Sequence, residues 1–204
     1  MENIALIFTS LFGLIGSVVA GWFVYNQKTK DRMTDMKIEK MRNENSERAA
    51  LNNRHLANIH GAMYDVLYQL EADRCFIIQP HPEQRHLYLS VALEVDRKGV
   101  SAVKDIFQNV PISDMASFVK LMSSNLWLYY DDIGNQVEDK RVLSMMFLAG
   151  SKQIAIRQLN DVNNSWIGSI VFENINVKDF DKQSAMEAIK NCANMIQFIL
   201  PPIQ

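Results

Sequence analysis

No Lys or Arg precedes the first apolar run of this chain, and no Asp, Glu, Lys, Arg or His interrupts it. That run is Ile4–Tyr25, IALIFTSLFGLIGSVVAGWFVY. The missing positive n-region, and apolar residues that continue through Trp22, Phe23, Val24 and Tyr25, argue against a cleaved signal peptide ending after Ala20. Cysteine is scarce. Cys75 and Cys192 make no CxxC and no disulfide framework. They fit a reducing compartment, while leaving one long-range bridge between them open. There is no excess of basic charge: the formal net charge is -2. A general nucleic-acid binder usually carries a basic patch or stripe, so that class is excluded. No nucleophile elbow, Walker loop, HExxH or Rossmann fingerprint occurs. Asp131 with Asp132, and Glu138 with Asp139, are adjacent acids, and adjacency alone does not make an acid–base pair. The chain reads as a non-enzyme.

What is present begins with the apolar run itself. At about 1.5 Å per residue it reaches roughly 33 Å as a helix, against a bilayer core of about 30 Å. It is expected to be one uncleaved transmembrane helix. The only charge before it is Glu2, whereas Lys28, Lys30, Arg32, Lys37, Lys40 and Arg42 follow it. Positive residues near a span stay on the cytoplasmic side. The expected orientation is N-terminus out, in the inner (plasma) membrane, with the C-terminal bulk cytoplasmic. Trp22 and Tyr25 would sit at the inner interface. Gly13, Ser17 and Gly21 recur every fourth residue, which lets two helices approach closely and marks a candidate dimer face.

Residues from Asn26 to about Asn53 alternate in charge sign and contain no Pro or Gly. Acid–base pairs at helical spacing support a solvated helix. Met33, Met36, Ile38 and Met41 hold no single heptad register, so an exposed, loosely paired stalk is expected rather than a strong coiled coil. A clean 3-4 spacing follows at Leu56, Ile59, Met63, Val66 and Leu70. That stripe should pack on a twin helix, the following domain, or both. As a twin-helix contact it predicts a homodimer.

Beyond Asp73 the patterns alternate. Strands are expected at Arg74–Gln79, ended by Pro80 and Pro82, and at His86–Val95, where Leu87, Leu89, Val91, Leu93 and Val95 share one face. A helix N-capped by Ser113 runs to about Met122, and Leu126–Tyr130 forms a short strand. Val137–Ala149 is helical and stops at Gly150. Gln153–Leu159 and Trp166–Glu173 are strands about a polar hairpin loop. Asp179 opens a last helix reaching about Leu200. Hairpins outnumber βαβ crossovers, so the fold class is α+β with a mostly antiparallel sheet. The expected division is a transmembrane helix at 1–26, a helical stalk at 27–54 and a folded domain at 55–204.

The order of these segments resembles a GAF domain, the small sensory module related to PAS domains. The resemblance rests on ADRCFIIQPHP after the first helix and on PISDMASFVKLMSSNLWLYYDDI. It rests also on DKRVLSMMFLAGSKQIAIRQLN leading to WIGSIVFEN, and on the long last helix. It implies a central antiparallel sheet with the first and last helices on one face and a ligand pocket on the other. It places Phe118, Trp127, Tyr129, Tyr130 and Asp132 at that pocket, where core aromatics and a turn cap are the plainer reading. It also implies dimers through the flanking helices. The Asn-Lys motif of cyclic-nucleotide-binding members is missing, and neither Cys75 nor Cys192 stands at a persuasive bilin attachment position. No particular cofactor is assigned. No output module fits after Leu200, so output is expected through a protein partner or through the stalk. An interaction scaffold with a filled pocket is the alternative to a sensor of a small molecule.

The remaining polar candidates carry less. Arg157 alternates with Ile154 and Ile156 and so points to the other sheet face, toward an anion or an edge. Cys75, His81 and His86 lack the fourth ligand that a structural zinc site needs, so no metal is assigned. His55 and His60 read as surface or interface residues on a helix. If Gly13, Ser17 and Gly21 form a dimer face, replacing all three with Leu weakens dimerisation, read by crosslinking in native membranes. Unchanged dimers would reduce the segment to an anchor.

Overall fold

The computed structural model describes residues 2–82, 85–176 and 180–203. Of the first 32 residues, it describes the side chains of Trp22, Gln27, Lys28 and Lys30. The chain divides into two units, Met1–Leu51 and Asn52–Gln204. Helix α1 covers Glu2–Gln69. Within the first unit its side chains from Met33 to Leu51 are exposed, Met33, Met36, Ile38 and Met41 among them. Lys40 and Glu44 make one exposed ion pair at 3.9 Å, the kind that contributes well under about 1 kcal/mol. Among the described residues no helix is long and apolar enough to cross a membrane. Apart from Trp22, the expected span Ile4–Tyr25, including the face Gly13, Ser17 and Gly21, has its side chains outside the described ones.

The second unit is an α+β domain built on one six-stranded antiparallel sheet. Its strands are β1 (Arg74–His81), β2 (Tyr88–Asp96), β3 (Val110–Pro111), β4 (Trp127–Tyr130), β5 (Gln153–Asn160) and β6 (Trp166–Asn174). They lie in the order β3-β2-β1-β6-β5-β4. One face, the helix face, carries the end of α1 and the last helix α5 (Lys182–Ile196). The other, the loop face, carries α2 (Ala116–Ser124), α3 (Ile133–Gln136), α4 (Lys140–Leu148) and the segment from Val103 to Met115.

The apolar stripe of α1 is consumed inside this unit. Ile59, Met63, Val66 and Leu70 are buried in one cluster with Ile77, Phe172, Ile189 and Ile196. Full burial of a side chain such as Met63 is worth about 1.5–3 kcal/mol. Leu56 alone of the expected dimer stripe is half-exposed. The stripe therefore faces the chain's own sheet, and four of its five residues offer nothing to a twin helix. Helix α5 answers it with Ala185, Ala188, Ile189, Cys192, Ala193 and Ile196, all buried and spaced as one helical face. Its small residues let it lie close on the sheet.

Four local expectations are corrected. In β2 the period-two face breaks at Ala92, because Ile77 pairs Leu93 while the next residue, Ile78, pairs Val91. This β-bulge turns Leu89 and Val91 to the loop face and leaves Leu93 and Val95 on the helix face. Ser113 caps nothing: Ile112–Met115 is a 3-10 turn, and α2 starts at Ala116 without a side-chain cap. Strand β1 continues through Pro80, which pairs only with β2 at Leu89 because β6 pairing ends at Ile78. An absent N–H costs nothing on that open side. The last helix is capped by Asp181, whose side chain accepts from Ser184 N at 2.9 Å. Asp179 lies outside the described residues.

Gly168 in β6 has φ +151, and a Cβ there would stand 2.5 Å from the Ile78 carbonyl oxygen. Glycine is what lets β6 and β1 approach at that point. Gly168→Ala is expected to cost about 1–3 kcal/mol of unfolding free energy, read from urea midpoints. A variant as stable as the parent would show that the strands part without loss.

Candidate functional site

The loop face was the expected ligand pocket. It is filled by side chains. Phe76, Phe107, Met115, Phe118, Met122, Met145 and Met146 are all buried in one cluster with Ile154, Ile156 and Val171. Methionine adapts to irregular gaps, and four buried methionines close this layer over the sheet. Two phenylalanines, Phe76 and Phe107, meet with ring centroids 6.4 Å apart.

The five residues expected at a pocket do not converge. Phe118 and Tyr130 belong to the loop face. Trp127 and Tyr129 alternate with Tyr130 along β4 and so pack on the helix face. Tyr129 acts there as a strut. Its hydroxyl donates to the Phe180 carbonyl at 3.2 Å, its ring meets Phe180 edge-on, and Lys182 Nζ stands 5.3 Å from its centroid. Asp132 is exposed and caps α3, accepting from Gly134 N at 3.1 Å. It borders a cavity of about 540 Å3 shared with Phe147, Lys152 and Asn176. Asp139 caps α4 through Arg141 N and Val142 N and also accepts from Ser117 Oγ at 2.7 Å. These bonds hold its carboxyl below the usual range against the effect of burial.

Arg157 is half-buried opposite Trp127, its Nε without a hydrogen-bond partner among the described residues, and desolvation lowers its pKa. Cys75 and Cys192 are free and fully buried in the helix-face cluster. Burial pushes the Cys75 thiol well up, helped by nearby Cys192, and raises Cys192 to about 12. A buried, protonated thiol is a poor nucleophile, so neither is set up for covalent attachment of a chromophore. His81 bonds Ser90 Oγ at 2.8 Å, and His86 lies edge-on to Trp166. Among the described residues no group of three or more His, Cys, Asp or Glu is placed to hold a metal.

Sequence reasoning missed a polar cluster at one end of the sheet. Arg74 on β1 is completely buried and faces Glu173 on β6, its cross-strand neighbour. Its Nε donates to Glu173 Oε2 at 3.0 Å and its Nη1 to the Ser101 carbonyl at 2.7 Å. Ser151 Oγ adds a donor to the same carboxylate oxygen at 2.9 Å. Glu94, on β2, holds the incoming loop by accepting from Val103 N and Lys104 N. A second polar set sits on the helix face. Gln153 donates to Tyr129 Oη at 2.7 Å and accepts from Phe180 N at 3.0 Å and from Asn174 Nδ2 at 3.1 Å. Neither set shows periodicity in the sequence, since each joins residues far apart in the chain.

Asp96 lies beside this cluster. Burial first, then the Glu94 carboxyl, pushes its pKa from 3.8 up to about 7, with Arg74 opposing. Its contribution to stability is present in full below about pH 4 and is lost as pH rises toward 7, because the folded chain holds a proton the unfolded chain releases. Asp96→Asn cannot ionise. It is expected to raise the unfolding midpoint relative to the parent at pH 8 and to leave it unchanged at pH 4, read by denaturant melts at both. An equal shift at both pH values would show that the group does not titrate in this window.

No family model and no curated protein sequence matches the chain. Solved structures do. GAF3 from Slr1393 of Synechocystis sp. PCC6803, in its photoproduct state, superposes with a TM-score of 0.58 at 12% identity, over 70% of this chain and 90% of that one. A far-red cyanobacteriochrome photoreceptor gives 0.57 at 11% identity, over 80% and 94%. The phycoerythrobilin-bound GAF domain of a cyanobacterial phytochrome gives 0.54 at 14% identity, over 72% and 91%. At these identities the likeness is one of architecture, and the chain has the GAF fold.

Proposed function

We propose that this chain is a single-pass, membrane-anchored GAF-fold module with a sensory or regulatory role, dimeric through its membrane segment and non-catalytic. The observation that carries the reading is the pairing, on one chain, of the uncharged stretch Ile4–Tyr25 and its basic flank with a GAF fold. Gly13, Ser17 and Gly21 are the dimer face in this proposal. The fold's neighbours include bilin-bound domains, which supports a small-molecule ligand as one input. The output runs to a protein partner. In right-side-out vesicles of the host membrane, external protease is expected to leave the C-terminal unit intact until the vesicles are opened. Digestion from the outer face alone would overturn the orientation.

A second reading is an interaction scaffold whose GAF fold binds no ligand on the loop face. The filled loop face favours it, with Phe118 and Met122 each at most 5% exposed. The two readings part in a screen of nucleotides and metabolites followed by methionine-methyl NMR. Shifts at Met115, Met122 and Met145 mean that a ligand enters the loop face. Silent methyl groups together with a captured partner favour the scaffold.

A further inference from the structure

Beyond α5 the chain enters Leu200–Ile203, Leu-Pro-Pro-Ile, which is neither helix nor strand. Each proline fixes its own φ and disfavours helix in the residue before it, so the sequence dictates an extended segment here. We propose that this strap is a displaceable internal plug. The groove beneath it is a docking site for an extended, proline-containing apolar segment of a partner protein.

The strap is lightly held. No hydrogen bond joins Leu200–Ile203 to another described residue; the nearest in the chain before it runs from Ile199 N to the Ile196 carbonyl at 3.0 Å. Leu200 packs against the helix-face cluster, yet it and Ile203 are only half-buried, and Pro202 is exposed. The strap also leaves its groove incompletely filled. Cavities of about 290 and 330 Å3 lie along it, and Leu200, Pro202 and Ile203 line both. The strap is their shared wall, so its departure joins them. Protein interiors are close-packed, and two cavities against one short segment mark a seat that a bulkier segment would fill better. Leu56, Val91 and Leu93 line one cavity, and Val162, Ile167 and Phe198 the other. Val162 is 84% exposed and Phe198 62%, so a longer segment finds apolar surface that the strap leaves bare.

The polar groups along the groove are engaged within the chain. Lys104 Nζ donates to the Ala92 carbonyl at 3.3 Å and Gln108 Nε2 to the Val91 carbonyl at 2.9 Å. Gln197 Oε1 accepts from Asn160 N at 3.4 Å, and Asp161 Oδ1 accepts from Asn163 N and Ser165 N. His86 lies edge-on to Trp166. Selection therefore falls to shape and apolar contact, and the strap itself shows which chemistry fits. Proline-containing segments are extended before they bind and give up little freedom on docking. Being tethered, the strap competes with any partner, so the site is self-inhibited. The groove is independent of the membrane and sensory readings, and peptide binding to it can be measured whether or not they hold.

The test is fluorescence anisotropy of a labelled Ile-Leu-Pro-Pro-Ile peptide on the full-length chain in lipid nanodiscs, with empty nanodiscs subtracted. Leu200→Ser with Ile203→Ser loosens the strap without shortening the chain. This variant is expected to bind the peptide saturably and about tenfold more tightly than the parent, because the tethered strap no longer competes. A control peptide with serine in place of its leucine and second isoleucine should not bind. Leu56→Glu, at a half-exposed position on the groove, should weaken binding to the loosened chain several-fold. Ile203→Ser alone gives the same comparison if the double variant does not fold. Equal binding to parent and loosened chains, or binding to neither, overturns the proposal, and binding that ignores Leu56→Glu overturns the assignment to this groove. Chains carrying Leu56→Cys alone and Ile203→Cys alone, mixed and treated with a bismaleimide, are expected to give no crosslink between copies. Such a crosslink would make a second copy's strap the occupant and overturn the assignment to a partner protein.

Discussion

Strand β1 lies between β2 and β6 with a packed layer above it and another below. All eight of its residues are buried, so every side chain it carries must find an interior partner. Cys75 and Ile77 meet the helix layer, and Phe76 and Ile78 meet the loop layer. Arg74 and Gln79, near its two ends, are polar. Their different fates organise the domain.

At the first end the demand is met. An arginine with no exposure is tolerable only with a carboxylate and several acceptors around it. Glu173, Ser151 and the Ser101 and Ala149 carbonyls supply them. Those groups come from β6, the turn after α4 and the loop after β2. The pair thus ties the loop layer to the sheet. A buried ion pair adds little net stability over an apolar replacement, but removing one partner costs about 3–5 kcal/mol, so the residues must change together. At the second end Gln79 Oε1 is buried without a donor among the described residues, beside a cavity lined by Pro80, Ile167 and Leu200 together with His86, Asp161 and Gln197.

The two layers also differ in character. On the helix face, α1 and α5 bring long apolar stripes and small residues, giving a close-packed slab that includes both thiols. On the loop face, short helices and a bulged strand are sealed with phenylalanine and methionine. Such side chains fill a space of irregular shape without needing a ligand in it. A GAF fold is compatible with either a filled or an open face, because the sheet and its flanking helices carry the architecture.

The local periodicities of this sequence were enough to predict its α+β class, its main strands and four of its helices. Apolar alternation and 3.6-residue stripes report which side of an element is buried. They do not report what buries it. The stripe from Leu56 to Leu70 reads equally as a dimer seam or as a core face, and packing against α5 and the sheet decided for the core. The aromatic run Trp127–Tyr130 reads as one cluster, but the pleat of β4 sends its members to opposite layers. One bulge at Ala92 reversed the facing of half of β2, a change no alternation rule anticipates. The candidate site was less legible than the fold. Arg74 with Glu173, and Gln79 with Gly168 and Phe198, are neighbours only because antiparallel pairing and the return of the chain after α5 bring distant residues together. The length, lack of charge and basic flank of Ile4–Tyr25, by contrast, are properties of sequence alone, since hydropathy and charge order need no tertiary contact to act.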